Sequence, residues 1–239
     1  MKVFIGHDER LAKATEVCEK SMKRHAPNID VRVIDWNDFD IAGVYDRPHF
    51  TEDGQYYDTL TGSPFSTQFS FTRFLVPHLT EHRGWAVFCD SDFVWRGDIR
   101  SLFDLADERF AVMVVPHNHG PPQEELLKMD GVVQTRYWRK NWSSLILWNC
   151  SHGDNLKLTP KQVNDMPGLW LHQFQWVQDG NIGVLPEEWN YLVGKTECIS
   201  PTTHYRQTAD IMGVHFTEGT PNLPGYENAP YADEWRMYA

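Results

Sequence analysis

An apolar run ending in two carboxylates, Trp85-Ala86-Val87-Phe88-Cys89-Asp90-Ser91-Asp92, constrains the fold of this chain more than any other segment. The uncharged stretch predicts a short buried strand. A strand presents residues i and i+2 on one side, so Asp90 and Asp92 can converge on a single point. Two carboxylates at one point repel each other unless a cation sits between them. A divalent ion is the natural candidate, and its natural use at such a place is to hold a diphosphate. A second Asp-x-Asp, Asp38-Phe39-Asp40, follows a polar Trp-Asn-Asp stretch and reads as a solvated turn. Asp90 and Asp92 instead end a strand, where open α/β sheets collect their ligands.

The flanking segments alternate between strand and helix. Lys2–Gly6 reads as a strand, and Asp8 can cap a helix whose positions Leu11, Ala14, Val17, Cys18 and Met22 follow helical spacing. Lys23, Arg24 and His25 suit the negative end of its dipole, and Asp30–Trp36 completes a βαβ unit. Ser66–Leu79 predicts one helix. Phe110–Val115 and Ser144–Trp148 are continuous apolar runs, as expected of strands covered on both faces. Helices are expected at Thr159–Asp165 and Leu169–Val177, with a short helical stretch over Glu124–Met129. Short strands are expected at Ile182–Leu185 and Gly213–Phe216. The pattern predicts a single α/β domain over residues 1–239, built on a mostly parallel mixed sheet. Residues 44–64 lack clear periodicity and read as a loop insertion, long enough to serve as a lid. Residues 117–140 read as a second such loop, and 217–239, rich in Pro, Gly and Tyr, as a tail lying over the surface.

Composition narrows the function classes. The net charge of −11 opposes non-specific binding to nucleic acid or an anionic membrane, although a metal can reverse the potential locally for one nucleotide. No apolar run approaches the roughly 18–20 residues that span a bilayer, and the N-terminus turns polar at His7. Cys18, Cys89, Cys150 and Cys198 have no metal-ligand spacing and read as reduced thiols, which predicts a soluble, cytoplasmic protein. His117-Asn118-His119 reads as a polar loop, and most of the tryptophans as core residues. Nothing in the sequence indicates an oligomeric state.

The Phe88–Asp92 motif, with Arg73-Phe74-Leu75-Val76-Pro77 before it and His215-Phe216-Thr217 near the end, resembles the glycogenin-type (family 8) retaining glycosyltransferases. Glu188-Trp189-Asn190-Tyr191 and the opening strand and helix add to the resemblance, which covers most of the chain in order. It implies the GT-A fold, with its single Rossmann-like nucleotide-binding domain. It also implies a metal, Mn2+ or Mg2+, held by Asp90, Asp92 and His215, a ligand set that suits a first-row divalent ion. Gly6, His7 and Asp8 fall where that family contacts the nucleotide base, and Ser91 lies between the two aspartates. Arg73 matches an arginine near the donor sugar, and Gln173 a glutamine under its reactive carbon.

Three departures stand out. The family follows its C-terminal histidine with glycine and then a phosphate-binding lysine, whereas His215–Pro224 contains Gly219 but no Lys or Arg. Leaving-group charge would then fall on the metal, on backbone amides near Gly219, or on Arg206 or Lys195. His172 and Phe174 flank Gln173 where the family often has acidic residues, and Trp142-Ser143-Ser144 replaces an Asn-small-Gly turn. His172, Ser143 and Ser144 are accordingly candidate donor-binding residues. The expected activity is transfer of a hexose from a nucleotide diphosphate sugar, UDP-glucose or UDP-galactose, to a hydroxyl of a glycan or other acceptor. The alternative is a non-catalytic descendant that binds nucleotide sugar or glycan without turnover.

Overall fold

The computed structural model describes residues 1–117, 126–128, 132–134, 139–195 and 210–239. β1 (Lys2–Gly6), α1 (Ala12–His25) and β2 (Asp30–Ile34) form the expected opening unit, with β1 and β2 parallel in register Lys2↔Asp30 to Gly6↔Ile34. α2 (Phe39–Ala42) is a single turn, and Asp38 before it and Asp40 within it are exposed, as a solvated turn requires.

The segment read as a loop is instead a three-stranded antiparallel meander of β3 (His49–Glu52), β4 (Gln55–Asp58) and β5 (Pro64–Phe65). Its alternation is masked in the sequence because both faces carry aromatics. Phe50 stacks on Tyr57 on one face, and Tyr56 stacks on Phe65 on the other. The single helix expected over 66–79 is broken into α3 (Phe69–Thr72), a tight turn at Arg73–Leu75 and α4 (Val76–Leu79). Pro77 accounts for the break, since it has no N–H and its ring crowds the carbonyl of Arg73 four residues back.

β6 (Trp85–Cys89) runs parallel to β1, and β7 (Phe93–Trp95) follows it directly. After β8 (Val112–Val114), the described part of the second expected loop contains an antiparallel pair, β9 (Leu126–Lys128) and β10 (Val132–Gln134). The helix expected at 124–129 is thus a strand where it is described, and pairing with the β-branched Val132-Val133 outweighs local helical spacing. β11 (Leu145–Asn149), α5 (Pro160–Asp165), α6 (Gly168–His172), β12 (Ile182–Val184), β13 (Tyr191–Leu192), β14 (Gly213–His215) and α7 (Ala232–Arg236) complete the chain.

The central sheet has the order β12-β8-β11-β6-β1-β2 and is parallel except at β11, which is antiparallel to both neighbours. Alternation along β1 sends Phe4 into a core with Phe74, Trp148 and Trp176, and Val3 and Ile5 into an opposite core with Met22 and Trp95. The sheet is therefore buried on both faces. The tail is anchored by Trp235 of α7, which packs with Val17, Val94 and Val214. Among the described residues no helix is long and apolar enough to cross a membrane. Cys18, Cys89 and Cys150 are buried free thiols, and burial pushes the Cys150 thiol up to about 11.

Candidate active site

β6 delivers Asp90 and Asp92 to the end of the sheet, and a small second sheet brings the third residue to them. In that sheet β14 lies between β13 and β7, antiparallel to β7 with His215 opposite Phe93. The chain continues with Phe216 N–H donating to the Asp92 carbonyl at 2.9 Å. One ligand atom from each of Asp90, Asp92 and His215 lies within 4.8 Å of the others. The His215 ring is clamped by Phe93, whose ring stacks on it at 4.4 Å between centroids.

A chain of hydrogen bonds fixes which nitrogen of His215 carries the proton. Ser144 has one hydroxyl hydrogen, and it goes to the Asn141 carbonyl. Ser144 Oγ must then accept from Asn190 Nδ2 at 2.9 Å, which turns Asn190 Oδ1 toward His215 Nδ1 at 2.8 Å. Nδ1 is therefore a donor, and Nε2 faces Asp92 Oδ1, 3.1 Å away. That oxygen is buried and receives no hydrogen bond among the described residues. At this distance either a proton or a metal cation lies between the two atoms. The donor set, two carboxylates and an oriented imidazole, fits a divalent ion.

Arg73 holds the other aspartate. Its Nη1 donates to Asp90 Oδ1 at 2.7 Å and to the Ser143 carbonyl at 2.8 Å, while Nε donates to the Phe69 carbonyl at 3.2 Å. The break in the 66–79 helix places this side chain, since it sits in the tight turn between α3 and α4.

These residues open onto a cavity of about 280 Å³. Arg73, Asp90, Asp92 and His215 line it, as do Lys140, His172, Ser143 and Ser144. Asp58, Thr61 and Ser63 of the meander line the same cavity. His172 Nδ1 lies 2.9 Å from Ser143 Oγ. The protein enclosing His172, and then the charges of Arg73 and Arg47, hold its pKa well below the ordinary 6.5, so the imidazole is neutral at pH 7. Arg47 ties the meander to the cavity wall. It makes a two-pronged pair with Asp58, at 3.0 and 2.9 Å, and donates to the carbonyls of Val163, Asn164 and Met166 around the end of α5.

Other sequence-predicted residues lie elsewhere. The Asp8 carboxylate is already saturated by Arg10 and by the Gln68 N–H. His7 bonds Thr15 at 3.0 Å, and Gly6 is pressed against Phe69, where a Cβ would come within 2.5 Å of the ring. None of these three lines the cavity. Ser91 is fully buried, and its hydroxyl finds no partner among the described residues. Gln173 is not a cavity residue either: its Oε1 accepts from Gln175 and its carbonyl from Arg139. Its neighbour His172 faces the cavity instead. The Gly219 N–H is spent on the Phe216 carbonyl, and the residue packs under Tyr226. Lys195 pairs with Glu218 at 2.6 Å, and Arg206, His119 and Cys198 lie outside the described residues. Lys140, Asn141 and Asn190 were not singled out by sequence reasoning as site residues. Asn190 carried a signal, as part of the Glu188–Tyr191 motif; Lys140 and Asn141 carried none beyond preceding an apolar strand.

This architecture is that of the GT-A glycosyltransferases. The galactosyltransferase LgtC, solved with donor and acceptor sugar analogues, superposes with a TM-score of 0.62 at 13% identity, covering 100% of this chain and 95% of that one. The glycosyltransferase GlyE of Streptococcus pneumoniae gives 0.54 at 15% identity over 99% of this chain, which spans 59% of GlyE. No protein-family model matches the sequence. Protein CDI of Arabidopsis thaliana is 40% identical over 237 residues, 98% of this chain and 84% of that protein, and the chain belongs to its family.

Proposed function

We propose that the protein is a metal-dependent glycosyltransferase, moving a hexose from a UDP-linked donor, glucose or galactose, onto a glycan or other acceptor hydroxyl with retention. The observation that carries this reading is the convergence of Asp90, Asp92 and His215, one ligand atom of each within 4.8 Å of the others, on the wall of a cavity. Asp90, Asp92 and His215 would hold Mn2+ or Mg2+. When bound, the ion would supply electrostatic stabilisation of the departing diphosphate.

The chain's own residues have separate roles. Arg73 keeps Asp90 aimed at the cation and presents positive charge beside the leaving group. His172, a neutral imidazole on the cavity wall, contacts the donor sugar, whereas the family resemblance implied Gln173, under the sugar's reactive carbon. The meander wall at Asp58, Thr61 and Ser63 offers polar contacts for the acceptor, whose hydroxyl would attack from the face the diphosphate leaves. The buried, reduced thiols fit action in the cytoplasm.

The test is donor hydrolysis over a panel of UDP-, GDP- and other nucleotide sugars, with manganese, with magnesium and with chelator, beside Asp92→Ala. Metal-dependent turnover of one donor, lost in the variant, would support the reading and name the sugar. Turnover that survives both chelator and the variant would overturn the site. Metal-dependent nucleotide binding with no turnover on any donor and acceptor would favour the non-catalytic alternative.

A further inference from the structure

The mouth of the cavity differs in chemistry from its interior. Arg73, Asp92 and His215 are buried, whereas among the described lining residues only Thr61, Ser63, Pro167 and Leu169 are exposed. These four come from two segments, the turn between β4 and β5 and the residues opening α6. Neither segment carries a charge: no Asp, Glu, Lys or Arg occurs over residues 59–72 or 166–171, in a chain that is 23% charged. Each has an exposed leucine. Leu169 lines the cavity at 48% exposure, and Leu60, equally exposed, sits beside Thr61. A single exposed leucine is ordinary, but two at one opening, with Pro167 and no charge among them, mark a surface left uncovered for a ligand. Thr61 spends its hydroxyl hydrogen on Asp58 at 2.7 Å and accepts the Ser63 N–H at 3.3 Å. Arg47 ties the two segments together. It pairs with Asp58 at the head of the turn and holds the Val163, Asn164 and Met166 carbonyls just before Pro167. The mouth is therefore preformed, as small-molecule sites usually are.

We infer that the acceptor is a neutral amphiphile, a hydroxyl compound whose apolar body lies on Leu60, Pro167 and Leu169. The inference rests on the proposed function and names its acceptor class. In that reading the donor sugar lies inside, by the metal ligands. The attacking hydroxyl then enters through the mouth, and the rest of the acceptor stays there. A charged acceptor would lose hydration on entering and find no counter-charge among the exposed lining residues. An oligosaccharide needs a partner for most of its hydroxyls, and the exposed lining side chains supply polar atoms only at Thr61 and Ser63. An alkyl group needs only apolar contact, and each methylene it buries tightens binding about fourfold.

The experiment first titrates UDP into the protein in Mn2+. It then titrates n-alkyl β-D-glucosides and β-D-galactosides, methyl to octyl and below their micelle concentrations, into the protein with Mn2+ and UDP. Calorimetry reads the binding, and maltose and lactose serve as neutral probes that add a sugar in place of an alkyl chain. Wild type should bind the octyl glycoside of the better series at least about tenfold more tightly than the methyl glycoside, since several methylenes are buried. Replacing both mouth leucines, Leu60→Ser with Leu169→Ser, should cut that gain to under about threefold. Both side chains are half exposed, so the variant should melt within a few degrees of wild type. Leu105→Ser with Leu156→Ser, two exposed leucines away from the cavity, should keep the full gain. An equal gain in both double variants would show association with the surface at large and overturn the inference. A larger gain from the second sugar of maltose or lactose than from the alkyl chain would point to a glycan acceptor and overturn it too. If UDP binds in Mn2+ but chain length brings nothing, the acceptor class falls and the transferase reading stands. If UDP does not bind, the proposed function itself fails and this inference with it.

Discussion

Replacing Asn190 with leucine tests the metal reading without touching a ligand. Asn190 is fully buried and bridges His215 Nδ1, at 2.8 Å, and Ser144 Oγ, at 2.9 Å. Leucine keeps the branched shape but is bulkier, so some stability is lost to packing, and the Nδ1 proton loses its acceptor. A buried donor left without a partner costs about 1–3 kcal/mol. The ring escapes that cost by carrying its proton on Nε2, which then donates to Asp92 Oδ1, 3.1 Å away. A hydrogen bond to a charged group is worth about 1.5–3 kcal/mol, and a metal must now break it before binding. The expected result is Mn2+ binding weaker by about 10- to 100-fold, in line with loss of an outer-shell partner elsewhere. Asn190→Asp keeps an acceptor at Nδ1 and should retain most of the affinity. Mn2+ titration by electron paramagnetic resonance reads the constants, and nitrogen NMR of the His215 ring reads the tautomer. A folded Asn190→Leu protein that binds Mn2+ as tightly as wild type would refute the chain of reasoning from Ser144 to Asp92.

Three further outcomes follow from the geometry. The His172 pKa is lowered by its enclosure and by Arg73 and Arg47, so the unfolded chain gains a proton near pH 6.5 that the folded chain refuses. Stability is therefore full above that pH and falls as pH drops toward the folded pKa, by up to about 1.4 kcal/mol between pH 7.5 and 5.5. Urea melts of His172→Asn should lack this component; an undiminished pH dependence in the variant would sink the assignment. Arg47→Met breaks a pair whose side chains are both 1% exposed and should lower unfolding free energy by about 3–5 kcal/mol. Arg47→Met with Asp58→Leu should recover part of that, and a loss under 1 kcal/mol in the single variant would mean the meander is not fastened there. Gly6→Ala puts a Cβ 2.5 Å from the ring and 2.9 Å from the Cβ of the buried Phe69, so about 1–3 kcal/mol should be lost in denaturant unfolding. A neutral result would show that Phe69 can shift.

The parts of the fold legible in the sequence are those set by local pattern. The βαβ opening, the apolar strands and the convergence of Asp90 and Asp92 all follow from alternation and helical spacing within a few residues. Asp38 and Asp40 were separable from them because a polar neighbourhood cannot form a buried strand. The meander at 49–65 was not legible, since aromatics on both faces erase the alternation that would reveal a strand. The broken helix at 66–79 had a signal in Pro77, whose effect on the carbonyl four residues back turns Arg73 toward Asp90. Gln173 and His172 show the limit of matching by position. A helix ending at His172 sets which neighbouring side chain faces the cavity, and no spacing rule fixes that end to one residue.

The largest gap has a topological cause. In a parallel sheet, ligand-binding residues follow the C-terminal ends of strands, so the search for site residues looks after each apolar run. β11 is antiparallel, with Leu145 opposite Cys89, and its beginning therefore lies beside the end of β6. Lys140 and Asn141, which precede the strand and were missed, line the site beside Ser143 and Ser144, which the sequence had named, for the same reason that Asp90 and Asp92 do after theirs. Direction is a property of pairing, and an apolar run such as Leu145–Trp148 reads identically both ways. The segment before β11 meets the segment after His215 at the Asn141–Thr217 bond, and both Asn141 and Thr217 line the cavity.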